Sequence, residues 1–206
     1  MKKTILLIFL MTLSIQVLKS QSIFIKSGRN LTNYKFSSSV NEAASLQNEI
    51  GKSYEFGYIS NLSARKRFYY GVSLGLEEYN ASGSYSSNQL VWETSYANLK
   101  GLGYYTLYKN DRQHVSAKAG LGLATLIHGR QQINTSRYNL LKENEFKGLF
   151  ISPQIGLSYN FAINNQMKLL VDYDYANQYS LTNTSDQKLS FINHSLSIGF
   201  SVNINK

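Results

Sequence analysis

Between residues 193 and 205 the chain alternates with a period of two. Leu196, Ile198, Phe200, Val202 and Ile204 are interleaved with Ser195, Ser197, Gly199, Ser201 and Asn203. Successive side chains of a strand point to opposite faces, so this run carries one apolar face and one small, polar face. Most of the chain repeats that pattern in segments of about ten residues, the length and period of strands that cross a membrane as a closed barrel. Composition agrees: 16% of the residues are charged, where soluble domains carry about a quarter. Sixteen Tyr and 14 Gly against one Pro favour strands and tight turns over helices. The absence of Cys excludes a disulfide, a thiolate metal site or a lipidated cysteine.

The first 22 residues read as a secretory signal. Lys2 and Lys3 form a basic start, residues 5–13 an apolar stretch, and cleavage is expected at 20/21 or 22/23. Residues 23–206 are then one barrel domain, and losing Lys2, Lys3 and Lys19 lowers the formal charge from +9 to +6. The basic residues are scattered, which points to an anionic membrane surface and away from nucleic acid. Alternation places strands at 23–33, 53–62, 68–79, 90–108, 114–127, 149–161, 167–177 and 193–205. Residues 34–52 read as a long loop with a weakly helical centre at 41–44, and 80–89, 128–147 and 178–190 as further polar loops. Short turns are expected at 63–67, at Asn110-Asp111 and at Asn164-Asn165. Within the fourth strand Leu90, Trp92 and Tyr96 share one parity and Leu99, Gly103, Tyr105 and Leu107 the other. A β-bulge near Ala97-Asn98 would reconcile them.

These features predict an all-β fold: an eight-stranded, antiparallel, up-and-down transmembrane β-barrel with short periplasmic turns and long extracellular loops. Aromatic residues are expected in two interfacial girdles. Phe68, Tyr70, Tyr105, Tyr159 and Phe161 fall near the short turns, and Tyr54, Tyr58, Trp92, Tyr173 and Tyr175 near the long loops. A lysine on the lipid face at the bilayer centre costs roughly 2–4 kcal/mol, so charged residues on the small-residue parity belong inside. Lys26, Glu55, Glu77, Lys100, Lys118, Lys168, Asp172 and Asp174, four bases and four acids, are the candidate site: a mutually paired network in the lumen. Eight strands leave an interior that side chains fill.

With its signal-like start, eight strands, terminal strand and the lumen faces Gly71-Val72-Ser73-Leu74-Gly75 and Gly120-Leu121-Gly122, the mature chain resembles the PorT-like outer-membrane β-barrel group of Bacteroidetes-type bacteria. The resemblance implies the fold and an outer-membrane location, and implies no activity.

No nucleophile constellation is evident. In His194-Ser195-Leu196-Ser197 neither serine shares a face with the histidine and no acid follows, so no catalytic residue is assigned. His128 and His194 have no neighbouring carboxylate or Cys with which to hold a metal, and no cofactor motif occurs. Sequons such as Asn30-Leu31-Thr32 and Asn134-Thr135-Ser136 follow from the abundance of Asn, Ser and Thr. Arg130, Arg137, Lys142, Lys147 and Lys188 in the loops suit lipopolysaccharide phosphates, and a solvated surface accounts for them equally well. The expected function is therefore a non-enzymatic, integral outer-membrane barrel with a structural or binding role through its outer loops. Its expected partners are outer-membrane lipid and the barrel-assembly machinery, and it is expected to be a monomer. The alternatives are a narrow channel for small solutes or a secreted lipocalin-like carrier with the apolar face turned inward. A membrane barrel should appear in the detergent-insoluble envelope fraction and change its gel mobility on boiling. A soluble band with no heat shift would invert the assignment of the two faces.

Overall fold

The computed structural model describes residues 21–37, 45–61, 67–85, 88–143, 146, 148–181 and 188–204. The expected signal as far as residue 20, the helical centre at 41–44, turn residues 63–66 and Lys147 lie outside the described residues. Eleven antiparallel strands are described. They are β1 (Gln21–Ser37), β2 (Ser45–Asn48), β3 (Ile50–Asn61), β4 (Phe68–Glu78), β5 (Ala81–Tyr85), β6 (Asn88–Lys109), β7 (Gln113–Ile133), β8 (Ser136–Asn139), β9 (Leu149–Ala162), β10 (Met167–Ser180) and β11 (Lys188–Asn203). Eight of these, β1, β3, β4, β6, β7, β9, β10 and β11, pair each with the next, β6 meeting β7. The ring closes where β1 meets β11, in a register running from Ser22↔Asn203 to Ser37↔Lys188. Short strands β2, β5 and β8 add to it at one end, β2 on β5, β5 on β6 and β8 on β7. Much of the chain expected as loops is therefore strand, because β6 and β7 continue upward as ribbons.

At the other end the connections are 62–67, 110–112 and 163–166. Two of them are organised by asparagines. Asn110 Oδ1 accepts from the backbone N–H groups of Arg112 and Gln113 at 3.0 and 2.6 Å. Asn164 Oδ1 does the same for Gln166 and Met167 at 2.9 and 2.8 Å. A short polar side chain can stand in for backbone in this way and hold a tight turn without a long loop.

Burial along the ring is inverted relative to a soluble protein. The outer wall exposes a large side chain from every ring strand: Ile25, Phe56, Leu74, Leu99, Leu121, Ile155, Tyr173 and Ile198 are all more than 40% exposed. Lys26, Glu55, Ser73, Lys100, Lys118, Gln154, Asp172 and Ser197, from the same strands, are buried. The ring leaves no edge, so backbone groups are paired with neighbouring strands on all sides, as a hydrocarbon solvent requires.

Strand β6 departs from the expected phase change. Leu90, Trp92, Tyr96, Asn98, Lys100, Leu102 and Tyr104 all face inward in unbroken alternation, and Leu99 and Tyr105 face outward. Apolar residues change sides because the solvent outside the strand changes. Beside the bilayer the outer face is apolar; beyond it the outer face meets water and the apolar residues turn in. An irregularity does lie beside the expected position, at Ser95/Tyr96, but the extra residue is Ile127 of β7, so β6 keeps its phase; a second lies at Thr106/Tyr108. Trp92 accordingly belongs to the interior and not to a girdle. Tyr58, paired with Val72 close to the end of β3, belongs with the short-turn aromatics. There Phe68 and Tyr105 pack on the outer wall with ring centroids 5.0 Å apart.

Leu74 is 63% exposed at mid-height on β4, between Phe56 and Leu99. Leu74→Lys should lower stability in lipid vesicles by about 2–4 kcal/mol, measured as a fall in the urea midpoint. A serine at the same position should cost much less.

Candidate functional site: a charged ladder beneath an aromatic plug

The register sets the inward-facing charges at one level of the barrel. Lys26 of β1 lies opposite Glu55 of β3, and their Nζ and Oε1 are 3.3 Å apart. Lys26 also reaches Asp172 of β10 at 2.7 Å. Glu55 continues to Lys100 of β6 at 3.0 Å, and Lys100 to Glu77 of β4 at 2.5 Å. In the other direction Asp172 continues to Lys118 of β7 at 2.8 Å, and Lys118 to Asp174 at 2.9 Å. The result is one ladder of alternating sign, Glu77–Lys100–Glu55–Lys26–Asp172–Lys118–Asp174, crossing the lumen. Seven of the eight candidate residues are in it. Lys168 is not: it lies at the short-turn end, beside Ser116, Ser158 and His114.

Glycines make room for these side chains. Lys26 lies opposite Gly199, Glu55 opposite Gly75, Lys100 opposite Gly122, and Lys118 and Asp174 both opposite Gly156. A Cβ on Gly156 would stand 2.7 Å from Asp174 Oδ1 and 2.9 Å from Lys118 Cε; one on Gly199 would stand 2.8 Å from Lys26 Cγ. The Gly-x-Gly pattern of the lumen face is thus the complement of the ladder.

Above the ladder the interior is aromatic. The ring of Phe191 (β11) contacts Tyr34 (β1), Tyr79, Tyr96 (β6) and Phe150 (β9) at centroid distances of 5.0, 4.9, 5.7 and 5.9 Å. Trp92 packs edge-on to Tyr34 at 5.2 Å and to Phe146 at 5.3 Å. Leu140 and Phe146, from the connection after β8, are buried in the same cluster. Tyr79, Tyr96, Phe150 and Phe191 have no exposed surface. Tyr79 joins the two layers: its hydroxyl donates to Glu77 and accepts from Gln178 Nε2 at 2.6 Å. Its carbonyl accepts from the hydroxyls of Tyr34, at 2.8 Å, and Thr94. Asn98 Nδ2 donates to Glu77 Oε2 at 3.0 Å. Sequence reasoning misses this plug because it places Trp92 in a lipid-facing girdle and Tyr34, Leu140 and Phe146 in loops, and gives Tyr79, Tyr96, Phe150 and Phe191 no inward role.

The remaining candidates are placed as follows. His194 is on the outer wall, its Nδ1 2.8 Å from the hydroxyl of Tyr173, whereas Ser195 and Ser197 face the lumen. That pair cannot meet. His128 and His194 lie on β7 and β11, with β9 and β10 between them, and share no site. Arg130 is 3.6 Å from Glu93, both exposed. Arg130 and Arg137 line a pocket of about 250 Å³ with His128, Tyr138, Asn139 and Leu141. Lys142 is exposed in the 3₁₀ turn, and Lys188 begins β11.

No family model matches the chain, and no curated protein does. Among solved structures it is similar to Ail, the attachment invasion locus protein of Yersinia pestis, at 10% identity over 89% of this chain and 99% of that one, with a TM-score of 0.47. It is also similar to OprG of Pseudomonas aeruginosa, at 13% identity over 93% and 99%, with a TM-score of 0.48. A third is Neisserial surface protein A, at 15% identity over 87% and 96%, with a TM-score of 0.47. These are likenesses of shape; the membrane assignment rests on the chain's own closed ring, apolar outer wall and polar interior.

Lys26 is 3% exposed and bridges the two halves of the ladder. Lys26→Met cuts the ladder in two, leaving Glu55 with Lys100 alone and Asp172 with Lys118 alone, and should cost about 3–5 kcal/mol in urea unfolding, as the loss of one partner from a buried ion pair does. Lys168→Met, outside the ladder, should cost less than about 1 kcal/mol. By its closed ring and inverted surface, the chain is an integral outer-membrane β-barrel.

Proposed function

We propose that this is a non-enzymatic outer-membrane barrel with a sealed lumen, acting through its extracellular end. The observation that carries this reading is the plug. Rings from β1, β6, β9 and β11 converge on Phe191 above a ladder whose charges are already paired, so neither layer offers an ion a hydrated path. Kinship with PorT-like barrels, and a cleaved signal over residues 1–22, belong to the same reading. They are supported by the basic start, the apolar stretch and the lumen glycines.

The partner proposed for the outer end is the phosphorylated headgroup of lipopolysaccharide. Two basic features support it. The pocket beside β8 presents Arg130 and Arg137 with His128 and Tyr138. On the outer wall Arg29 of β1 lies directly opposite Lys52 of β3, both exposed, toward the ribbon end of the barrel. Like charges directly opposed across a strand pair repel, and a phosphate between them relieves the repulsion.

In planar bilayers the refolded protein should produce no conductance steps; regular steps would replace this reading with the narrow channel. Deacylated, phosphorylated lipopolysaccharide core, titrated into the barrel in a maltoside detergent, should bind more weakly as salt rises. The double variant Arg130→Gln/Arg137→Gln should lose at least fivefold in affinity. Unchanged affinity in that variant would remove the pocket from the proposal.

A further inference from the structure

The short-turn end of the lumen forms a cup that neither the ladder nor the extracellular rim uses. Its volume is about 60 Å³, and its polar lining includes Ser116, Ser158, Ser201, Asn160, His114 and Lys168. The register gathers these from neighbouring strands: His114 opposite Asn160, Ser116 opposite Ser158, and Lys168 opposite Ser201. The ring of Tyr104, buried and opposite Lys118, closes the cup toward the ladder.

The chemistry of the lining is one-sided. Among the described residues it contains no Asp or Glu. Lys26, Lys100 and Lys118 each bridge two carboxylates, while Lys168 has no ion-pair partner among the described residues. Ser158 Oγ accepts from Asn160 Nδ2 at 3.3 Å, which leaves the serine's own hydroxyl hydrogen free to point into the cup. His114 Nε2 is held by Thr106 at 2.8 Å and Ser116 at 3.2 Å, fixing the wall behind them. An ammonium and convergent hydroxyls without a carboxylate suit an anion and repel a metal cation. The volume is about that of two water molecules in the liquid, enough for a compact oxoanion and too small for a sugar.

We infer that this cup binds one phosphate-type oxoanion at the periplasmic mouth of the barrel, with Lys168 as its counter-charge and Ser158 and Ser201 as hydrogen-bond donors. The site is independent of the extracellular proposal, because it lies at the opposite end of the lumen.

The test is titration of inorganic phosphate into the folded barrel in a maltoside detergent, which contributes no phosphate of its own, followed by calorimetry and phosphorus NMR line width. Wild type should show saturable binding of one equivalent. Lys168→Met should lose at least tenfold in affinity and Ser158→Ala about threefold, both keeping the heat-dependent gel shift of a folded barrel. Lys142→Gln, at the opposite end, should bind as wild type does. Glycerol phosphate identifies the source: weaker binding than inorganic phosphate assigns the site to the free ion, and equal binding assigns it to a phosphomonoester. Absence of saturable binding in wild type, or equal affinity in Lys168→Met and wild type, overturns the inference. If Lys168→Met fails to fold, Lys168→Gln and Ser158→Ala carry the comparison, and unchanged affinity in both overturns it.

Discussion

A chain surrounded by hydrocarbon must satisfy its backbone N–H and C=O groups from within, and an antiparallel sheet does so only when its first and last strands meet. Here β1 and β11 pair along nearly their whole length. Everything inside follows from that closure. The side chains that alternate away from lipid have nowhere to go but a narrow lumen, and whatever charge they carry must be neutralised there. With eight strands the interior cannot hold a column of water wide enough to hydrate seven charges separately. Alternation of sign, each lysine between two carboxylates, is the arrangement that keeps every charge beside its opposite.

The ladder then constrains the strands in return. A shift of one residue between β1 and β3 would carry Lys26 to the lipid face and leave Glu55 and Asp172 without it. Buried ion pairs contribute little net stability against well-packed apolar groups, but breaking one is costly. Their effect in this barrel is to penalise wrong registers. The glycines opposite Lys26 and Lys118 act in the same direction, because a Cβ on Gly199 or Gly156 would crowd the lysine beside it. Charge and small size are two halves of one register code.

Much of this was legible in the sequence because lipid imposes a strict rule on residues within the bilayer. Alternation located the eight ring strands, and the cost of a charge facing lipid assigned Lys26, Glu55 and their partners to the inner parity. The rule failed where the lipid ends. Trp92 and Tyr96 obey the same alternation as Lys100 in one continuous strand, but beside water the apolar face is the inner one. Read with the bilayer rule, they demand a phase change that the backbone does not make. The signal that could have placed them is the neighbouring polarity: Glu93 and Ser95 on the opposite parity mark a wall facing water. The loops were misjudged for a related reason, since the polar ribbons β5 and β8 lack the alternation that a two-solvent strand must show. Parity is blind to height, and height separates Lys168, at the short-turn end, from the ladder.

The vertical order of the layers matters as much as their content. An apolar plug at the ribbon end excludes water from the Glu77 end of the ladder, and electrostatic attraction strengthens as the surrounding dielectric falls. Tyr79 is the joint between the two layers, donating to Glu77 while its ring packs on Tyr96 and Phe191. Plug and ladder are therefore not additive. The plug raises the cost of leaving a ladder charge unpaired, and the ladder, by fixing Glu77, fixes the ring that anchors the plug. At the other end no such seal is found beyond Tyr104 among the described residues, and the lining changes to hydroxyls and a lysine outside the ladder. The lumen is thus packed with aromatic rings at the ribbon end and holds a shallow polar cup at the short-turn end. An asymmetric interior of this kind makes the two ends of the barrel chemically independent of each other.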